Sequence, residues 1–586
     1  MRRQSIGPLV VVAAALSLFL VRPVPVSSAH GPGYRPPQPF QIVEATIPEI
    51  QHAFATHRLD SKQLTKEYLD RIAAYDLNGP DLNAFIQVNP YALATAQWLD
   101  VLRAQHHGHG PLFGIPVLLK DNVDTADMPT TAGSVALAGS RPPDDAFIAK
   151  KLRQAGAIVL GKATLTEFAN FLTVGMPAGY SSLGGYGFNP YDPRADPRTG
   201  LDSNGHPFND GRPALSPGGS SSGPGIAVAA NLVTVAIGTE TSGSILSPAT
   251  MNDLVGIKPT VGLVSRDGIV PITEDQDTAG PLARTVTDAA VLLGAIAGYD
   301  PHDPATAACL TPGHCFSDYT QFLDPHALAG ARIAVPHIPY WNGLPIEQQT
   351  VMNNAIALMR SMGAFVDDPH EISTEAALDA FPICTAYLQP NCSTVLLFGF
   401  KHDLNNYLAT RGPHAPVHTL ADIIAYNNAH PTAALKYGQV LALAANQIDD
   451  SPSSADTARY HSDRATDIAL SRGGLDAIYD GPDGIPGTAD DFDAVLFPAN
   501  RGANIAARAG YPTVIVPGGF VPNAPTPPFP AGFNAQPSPF GVAFSGPAFS
   551  EPRLIALAYA YEQATHVRTP PASAPPLGPG HGHHSH

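Results

Sequence analysis

Positive charge is scarce in this chain. Its 586 residues carry 33 Lys+Arg against 50 Asp+Glu, a formal net charge of −17, and only 14% of residues are charged. That sign argues against binding to nucleic acid or to an anionic membrane surface. Cysteine is nearly absent: Cys309, Cys315, Cys384 and Cys392 fall as two close pairs. They are too few for a disulfide scaffold and lack the paired CxxC of a structural zinc site. No HExxH, no GxxxxGK[ST] and no strand-borne GxGxxG occurs, so no metal or nucleotide cofactor is expected. No apolar run reaches the ~20 residues of a spanning helix, and no repeat recurs at solenoid periods. What is plentiful is glycine (53) and proline (60), within a composition that is 44% hydrophobic. A chain of this length and makeup is a loop-rich globular protein with ample core.

The N-terminus has its own pattern. Arg2 and Arg3 precede a mostly apolar run from Leu9 to Val21, followed by the small residues Ser27, Ser28 and Ala29. This is the layout of a cleaved export signal, so residues 1–29 are expected to be a signal peptide. The mature protein would be secreted or periplasmic, with no stable membrane association after cleavage. Export permits disulfides, and Cys309–Cys315 and Cys384–Cys392 are the local pairings expected. Residues 30–44 form a Pro/Gly-rich lead and 572–586 a Pro/Gly/His-rich tail. No clear linker divides 45–571, which reads as one domain. Within it, 189–217 is a polar surface insertion, and 522–539 a Pro-rich loop. The acidic turn at 480–493, with Asp480, Asp483, Asp490 and Asp491, loosely resembles a calcium loop but lacks the closing Glu of an EF-hand, and is expected to be solvated.

Periodicity gives the fold class. Thr46 to Glu49 is a capping box, and Leu64, Tyr68 and Ile72 mark a second helix. GIPVLLK (114–120) reads as a buried strand ending in lysine. Asp145 to Gln154 reads as a helix capped by Gly156, and Ala157 to Leu160 as another buried strand. The pattern returns near Arg332, with a helix predicted from Pro345 to Met362 between two short strands. Strands alternating with helices indicate an α/β fold and a largely parallel sheet.

Two loops carry the chemistry. SPGGSSSGPG (216–225) and GTETSGS (238–244) are rich in glycine and hydroxyls, and the apolar stretch IAVAANLVTVAIG lies between them. Such loops suit an active site made of backbone N–H groups and hydroxyls. Gly219 to Gly223 matches G-x-S-x-G, but the polar, Pro-rich segment before it is not the buried strand a nucleophile elbow needs. No serine has a lysine three places on, so an S-x-x-K hydrolase is excluded as well. A serine needs a base, and no histidine lies near either loop in sequence except His206 in the polar insertion. Lys120, Lys162 and Lys258 all follow apolar stretches, and composition does not choose between them.

GIPVLLKDN, TTAGS, GKATLTEFANF, SPGGSSSG, GTETSGS and VGIKPTVGLVSRDGIVPITEDQDTAGPLARTVTDAA together resemble the amidase signature family, most closely its bacterial peptide amidases. The likeness runs from about Ala45 to Pro571. It implies a single large α/β domain, a mixed sheet surrounded by helices. It also implies an amide hydrolase with a Ser–cis-Ser–Lys triad: Lys120 as base, Ser220 as bridge and Ser244 as nucleophile. Thr241, Ser242 and Gly243, with Ser244, would supply the oxyanion hole, and Glu240 would support the loop. Ser242 stands where many relatives have Gly, and Leu246 where many have Arg. The expected partner is a small-molecule or peptide amide, with oligomeric state open. A C-terminal peptide amide is the first choice of substrate and fatty or aryl amides the alternative. A secreted binding protein on the same fold and a tRNA-linked amidotransferase subunit are the other classes to exclude.

Overall fold

Thr46 opens the first helix as its sequence predicts. Its hydroxyl accepts from the amide of Glu49, whose carboxylate accepts in return from the amide of Thr46, and the helix Ile47–Ala55 follows. The structure is a computed structural model and describes residues 40–578 except Pro482. The expected signal peptide, residues 30–39 of the lead and the last eight residues lie outside the described residues. From Gln41 onward the chain forms one compact unit.

Its centre is an 11-stranded sheet. From one edge to the other the strands are Phe85–Val88, Ile158–Ala163, Pro116–Lys120, Val235–Glu240, Thr278–Ala283, Val255–Lys258, Thr513–Val521, Ser538–Ser545, Ala494–Pro498, Arg332–Ala334 and Phe365–Asp367. The predicted helices lie close to their expected bounds: Phe147–Gln154, and Ile346–Ser361 with Pro345 and Met362 as its caps. The stretch between the two loops is both a helix, Ser222–Ala229, and a strand, Val235–Glu240.

The largely parallel sheet is corrected. Four of the ten ladders are parallel, in two groups at the flanks. The other six, including all the central ones from Val235–Glu240 to Ser538–Ser545, are antiparallel. Every residue of Thr278–Ala283 and Val255–Lys258 is buried, and a strand buried on both faces shows the same continuous pattern whichever way its neighbours run.

The polar insertion and the Pro-rich loop form one joined structure. Arg194, Arg198 and Arg212 pair with Asp192, Asp196 and Asp210 beside them. Arg194 also donates to Phe533 O (2.9 Å) and Arg198 to Pro527 O (3.0 Å). Both expected disulfides are present, Cys309–Cys315 and Cys384–Cys392. Glu44 pairs with Arg568 at 2.8 Å, and Arg71 donates to the carbonyls of Ala574 and Pro575, so the ends of the domain are pinned to its body.

Candidate active site

Strand geometry brings the two loops together. Pro116–Lys120 and Val235–Glu240 are parallel neighbours, with Leu119 opposite Ile237, so their carboxyl ends lie side by side. Open parallel sheets place their sites at such ends. Lys120 closes the first strand and is fully buried. Its Nζ lies 2.7 Å from Ser220 Oγ, 2.8 Å from Thr239 Oγ1 and 3.2 Å from Thr239 O. Asn122 Nδ2 donates to the same Thr239 hydroxyl at 3.0 Å. Burial pushes Lys120 down to about 7, against the charges of Asp277 and Glu240, which favour its protonated form.

The three candidate lysines separate by their partners. Lys162 forms an ion pair with Asp121 at 3.2 Å and donates to Thr130 Oγ1. Lys258 donates to the carbonyls of Tyr511 and Pro259. Lys120 is the one that meets a serine of the loops.

Ser220 follows a cis peptide bond at Gly219–Ser220. A side chain at position 219 would have its Cβ 2.8 Å from Thr166 Oγ1, which explains the glycine there. Ser221 has a different task. Its hydroxyl donates to Thr239 O (3.0 Å) and accepts from Thr239 N (3.2 Å), and its amide donates to Ser244 O (3.2 Å). Ser221 thus fastens the first loop to the second.

Glu240 shapes the loop that carries Ser244. Its buried carboxylate accepts from the amides of Gly243 (2.7 Å), Ile245 (2.7 Å) and Leu246 (3.0 Å). The turn requires φ +80° at Gly243, open to glycine. This corrects one expectation. The amide of Gly243, one of the donors expected for an oxyanion, is engaged by Glu240, which leaves the amides of Thr241, Ser242 and Ser244 from the expected set. Ser242 is exposed, which accommodates its Cβ, and Leu246 is buried. Glu240→Gln is expected to lower stability by about 2–3 kcal/mol, because a charged acceptor is replaced by an amide that must turn one N–H toward backbone donors. Urea unfolding of the variant beside the wild type measures it.

Ser244, Thr241 and Gly219 line a cleft of about 290 Å³. Phe171, Ile272 and Leu396 give it an apolar wall, and Asn500 a polar one. Leu396 comes from the helix Val395–Ala409, in the region least legible in the sequence. The insertion 189–217 is not among the residues lining this cleft. Two groups absent from the sequence reading matter here. Thr239 holds Lys120, and Asp277 accepts from Thr241 Oγ1 at 2.5 Å and from the amide of Ile272 at 2.7 Å. Burial pushes Asp277 up to about 7. Both residues lie inside the family motifs, but nothing local marks either as a site residue.

The acidic turn brings Asp483, Asp490 and Asp491 together. Asp491 accepts from the amide of Gly487, and the Thr488 hydroxyl bonds to both Asp490 and Asp491, so these carboxylates already brace their own loop.

A mixed sheet with a buried lysine, a cis-linked serine and a second serine loop at its strand ends is the architecture of one class of hydrolase. A family model described as Amidase matches residues 63–448, and the chain belongs to that family. It is 38% identical over 539 residues to a probable amidase of Arabidopsis thaliana, covering 91% of this chain and 92% of the relative. It is 32% identical to a putative amidase of Schizosaccharomyces pombe, with 91% and 87% covered. Among solved structures it is similar to the native peptide amidase of Stenotrophomonas maltophilia, at 41% identity and TM-score 0.75, covering 90% of this chain and 98% of that one. A peptide amidase bound to the competitive inhibitor chymostatin superposes with TM-score 0.77 at 40% identity, covering 90% and 99%. The protein is an amide-hydrolysing enzyme.

Proposed function

We propose an exported serine amidase that hydrolyses C-terminal carboxamides of peptides through an acyl-enzyme on Ser244, with Ser220 and Lys120 as proton relay. The 2.7 Å contact between Lys120 Nζ and Ser220 Oγ carries this reading. A neutral lysine has two N–H donors and one lone pair. Thr239 O can only accept, and Thr239 Oγ1 already accepts from Asn122. One N–H therefore points to Thr239 O, Thr239 Oγ1 keeps a second lone pair for the other, and in that arrangement the lysine lone pair faces the Ser220 hydroxyl.

As Ser244 Oγ attacks the amide carbon, its proton passes to Ser220 and that of Ser220 to Lys120. The amides of Thr241, Ser242 and Ser244 meet the developing oxyanion. The C–N bond then breaks, the leaving nitrogen takes the proton back along the relay, and ammonia departs. Water attacks the ester, gives its proton to the same relay, and releases the acid with Ser244 restored.

The substrate class rests on the likeness to the peptide amidases. A peptide amide is expected to exceed a long-chain fatty amide in kcat/KM by about tenfold or more, roughly 1.4 kcal/mol of transition-state preference. The reverse order would replace the peptide amide by a fatty one and leave the chemistry intact.

Export rests on the Arg2–Ala29 pattern and on the disulfides, which leave no free cysteine among the described residues. N-terminal sequencing of the protein from the culture medium or periplasm is expected to begin at His30. Full-length protein confined to the cytoplasm would contradict export.

A further inference from the structure

The cleft has a polar side chain that the reaction just described does not use. Asn500 stands between the strand Ala494–Pro498 and the helix Ala503–Ala509. It lines the cleft together with Ser244. Its Nδ2 lies 3.4 Å from the place a Cβ would take on Gly243, the residue before the nucleophile.

The turn that carries Asn500 is braced. The amide of Ala499 donates to Gly541 O (2.9 Å), that of Arg501 to Pro498 O (3.1 Å) and that of Ala503 to Asn500 O (3.1 Å). The Arg501 guanidinium donates to Asn342 O (2.8 Å) and Tyr340 O (3.2 Å). Ala499 and Ala503 are buried, and of residues 499–503 Asn500 alone lines the cleft.

Neither common local reason for an asparagine applies here. Turns favour Asn because it tolerates positive φ, but the positive φ of this turn falls on Ala499, at 50°. Helix starts favour Asn as a cap, but the cap residue is Gly502. The Asn500 side chain makes no hydrogen bond among the described residues, although it is half-buried. Of the other polar side chains lining the cleft, Asn170 and Ser242 are exposed, and Ser247 Oγ faces the amide of Gly219.

A primary amide carries both donors and an acceptor, so it can bond to either end of a peptide unit. In the proposed reaction ammonia leaves, and everything else the enzyme recognises lies on the acyl side. The first polar group there in a peptide amide is the preceding peptide unit. Its nitrogen is about 2.5 Å from the carboxamide carbon by standard bond lengths. Fatty and aryl amides have no such unit.

We propose that Asn500 hydrogen-bonds the peptide unit that precedes the scissile carboxamide, and so selects peptide amides over fatty and aryl ones. The bond runs to the N–H through Oδ1 or to the carbonyl through Nδ2. This assignment rests on the peptide-amide reading above.

Ammonia release from N-acetyl-L-phenylalaninamide and from 3-phenylpropanamide tests it on the full protein. The two share a side chain and a carboxamide and differ by the peptide unit. The wild type is expected to favour the first in kcat/KM. Asn500→Ala should lower that ratio by about five- to tenfold, the effect of one hydrogen bond. Asn500→Leu, which fills the space without polar atoms, should match it. Intrinsic reactivity cancels between wild type and variant, and a merely structural loss would slow both substrates alike.

Asn500→Asp keeps the acceptor and loses the donor. A ratio kept in Asn500→Asp but lost in Asn500→Ala assigns the bond to the peptide N–H, and a ratio lost in both assigns it to the carbonyl. A wild-type preference that survives in Asn500→Ala and Asn500→Leu overturns the role of Asn500 and leaves the peptide-amide reading standing. No wild-type preference for the peptide unit, or turnover of neither amide, overturns that reading and this inference with it.

Discussion

Ser244→Ala is expected to lower kcat/KM for any amide by about four to six orders of magnitude, the loss seen when a serine nucleophile is removed from a relay that acts as a unit. Ser244 lies in the cleft, on a loop held by Glu240 from within and by Ser221 from the side. Removing its hydroxyl alters neither support, so the variant should unfold at nearly the wild-type urea concentration. Single-turnover kinetics should lose the acyl-enzyme phase. By contrast, Ser221→Ala removes two hydrogen bonds to Thr239 and should act mainly through stability. An intact acyl-enzyme phase in Ser244→Ala would transfer the nucleophile to another hydroxyl.

Lys120→Ala is expected to lower kcat/KM by about two to four orders of magnitude, the range of a general base, and to abolish the ionisation that controls the wild-type rate. The catalytic form of Lys120 is neutral, and burial places its pKa at about 7. Wild-type kcat/KM should therefore rise with pH through about 7 and level off above it. Asp277 and Glu240 are the charged groups that oppose this neutral form, so Asp277→Asn should move the rise to lower pH.

The same shift affects folding. In the unfolded chain Lys120 holds its proton up to its ordinary value of 10.5, while the folded protein releases it near 7. Between those values the unfolded state binds more protons, so this residue makes stability increase with pH. Below pH 7 its full destabilising effect is present, and Lys120→Met should be more stable than wild type there. A rate profile unchanged in Lys120→Ala would place the base elsewhere.

The parts of the site legible in the sequence are those with local signatures. The two loops are too small and polar to pack a core, whereas Lys120, Ser220 and Ser244 were singled out by the family motifs, since Lys162 and Lys258 also follow apolar stretches. The disulfides were legible because each pair is close along the chain. The antiparallel centre of the sheet was not, since Val255–Lys258 and Thr278–Ala283 have the same burial pattern in either direction. Nor was the union of the insertion with the Pro-rich loop, which joins Arg194 to Phe533 across more than half the chain. The engagement of the Gly243 amide was not legible either, because a string of residues does not show that a carboxylate three places earlier turns back onto it. Asp277 and Leu396 reach the site through tertiary packing alone, and no local period marks them.

Labelling with a fluorophosphonate, followed by peptide mapping of the adduct, asks the chemistry directly which hydroxyl is the activated one. The proposed relay predicts a single adduct on Ser244, formed slowly or not at all in Lys120→Ala and in Ser220→Ala. An adduct on Ser220 or Ser221, or labelling of Ser244 at the wild-type rate without Lys120, would contradict it.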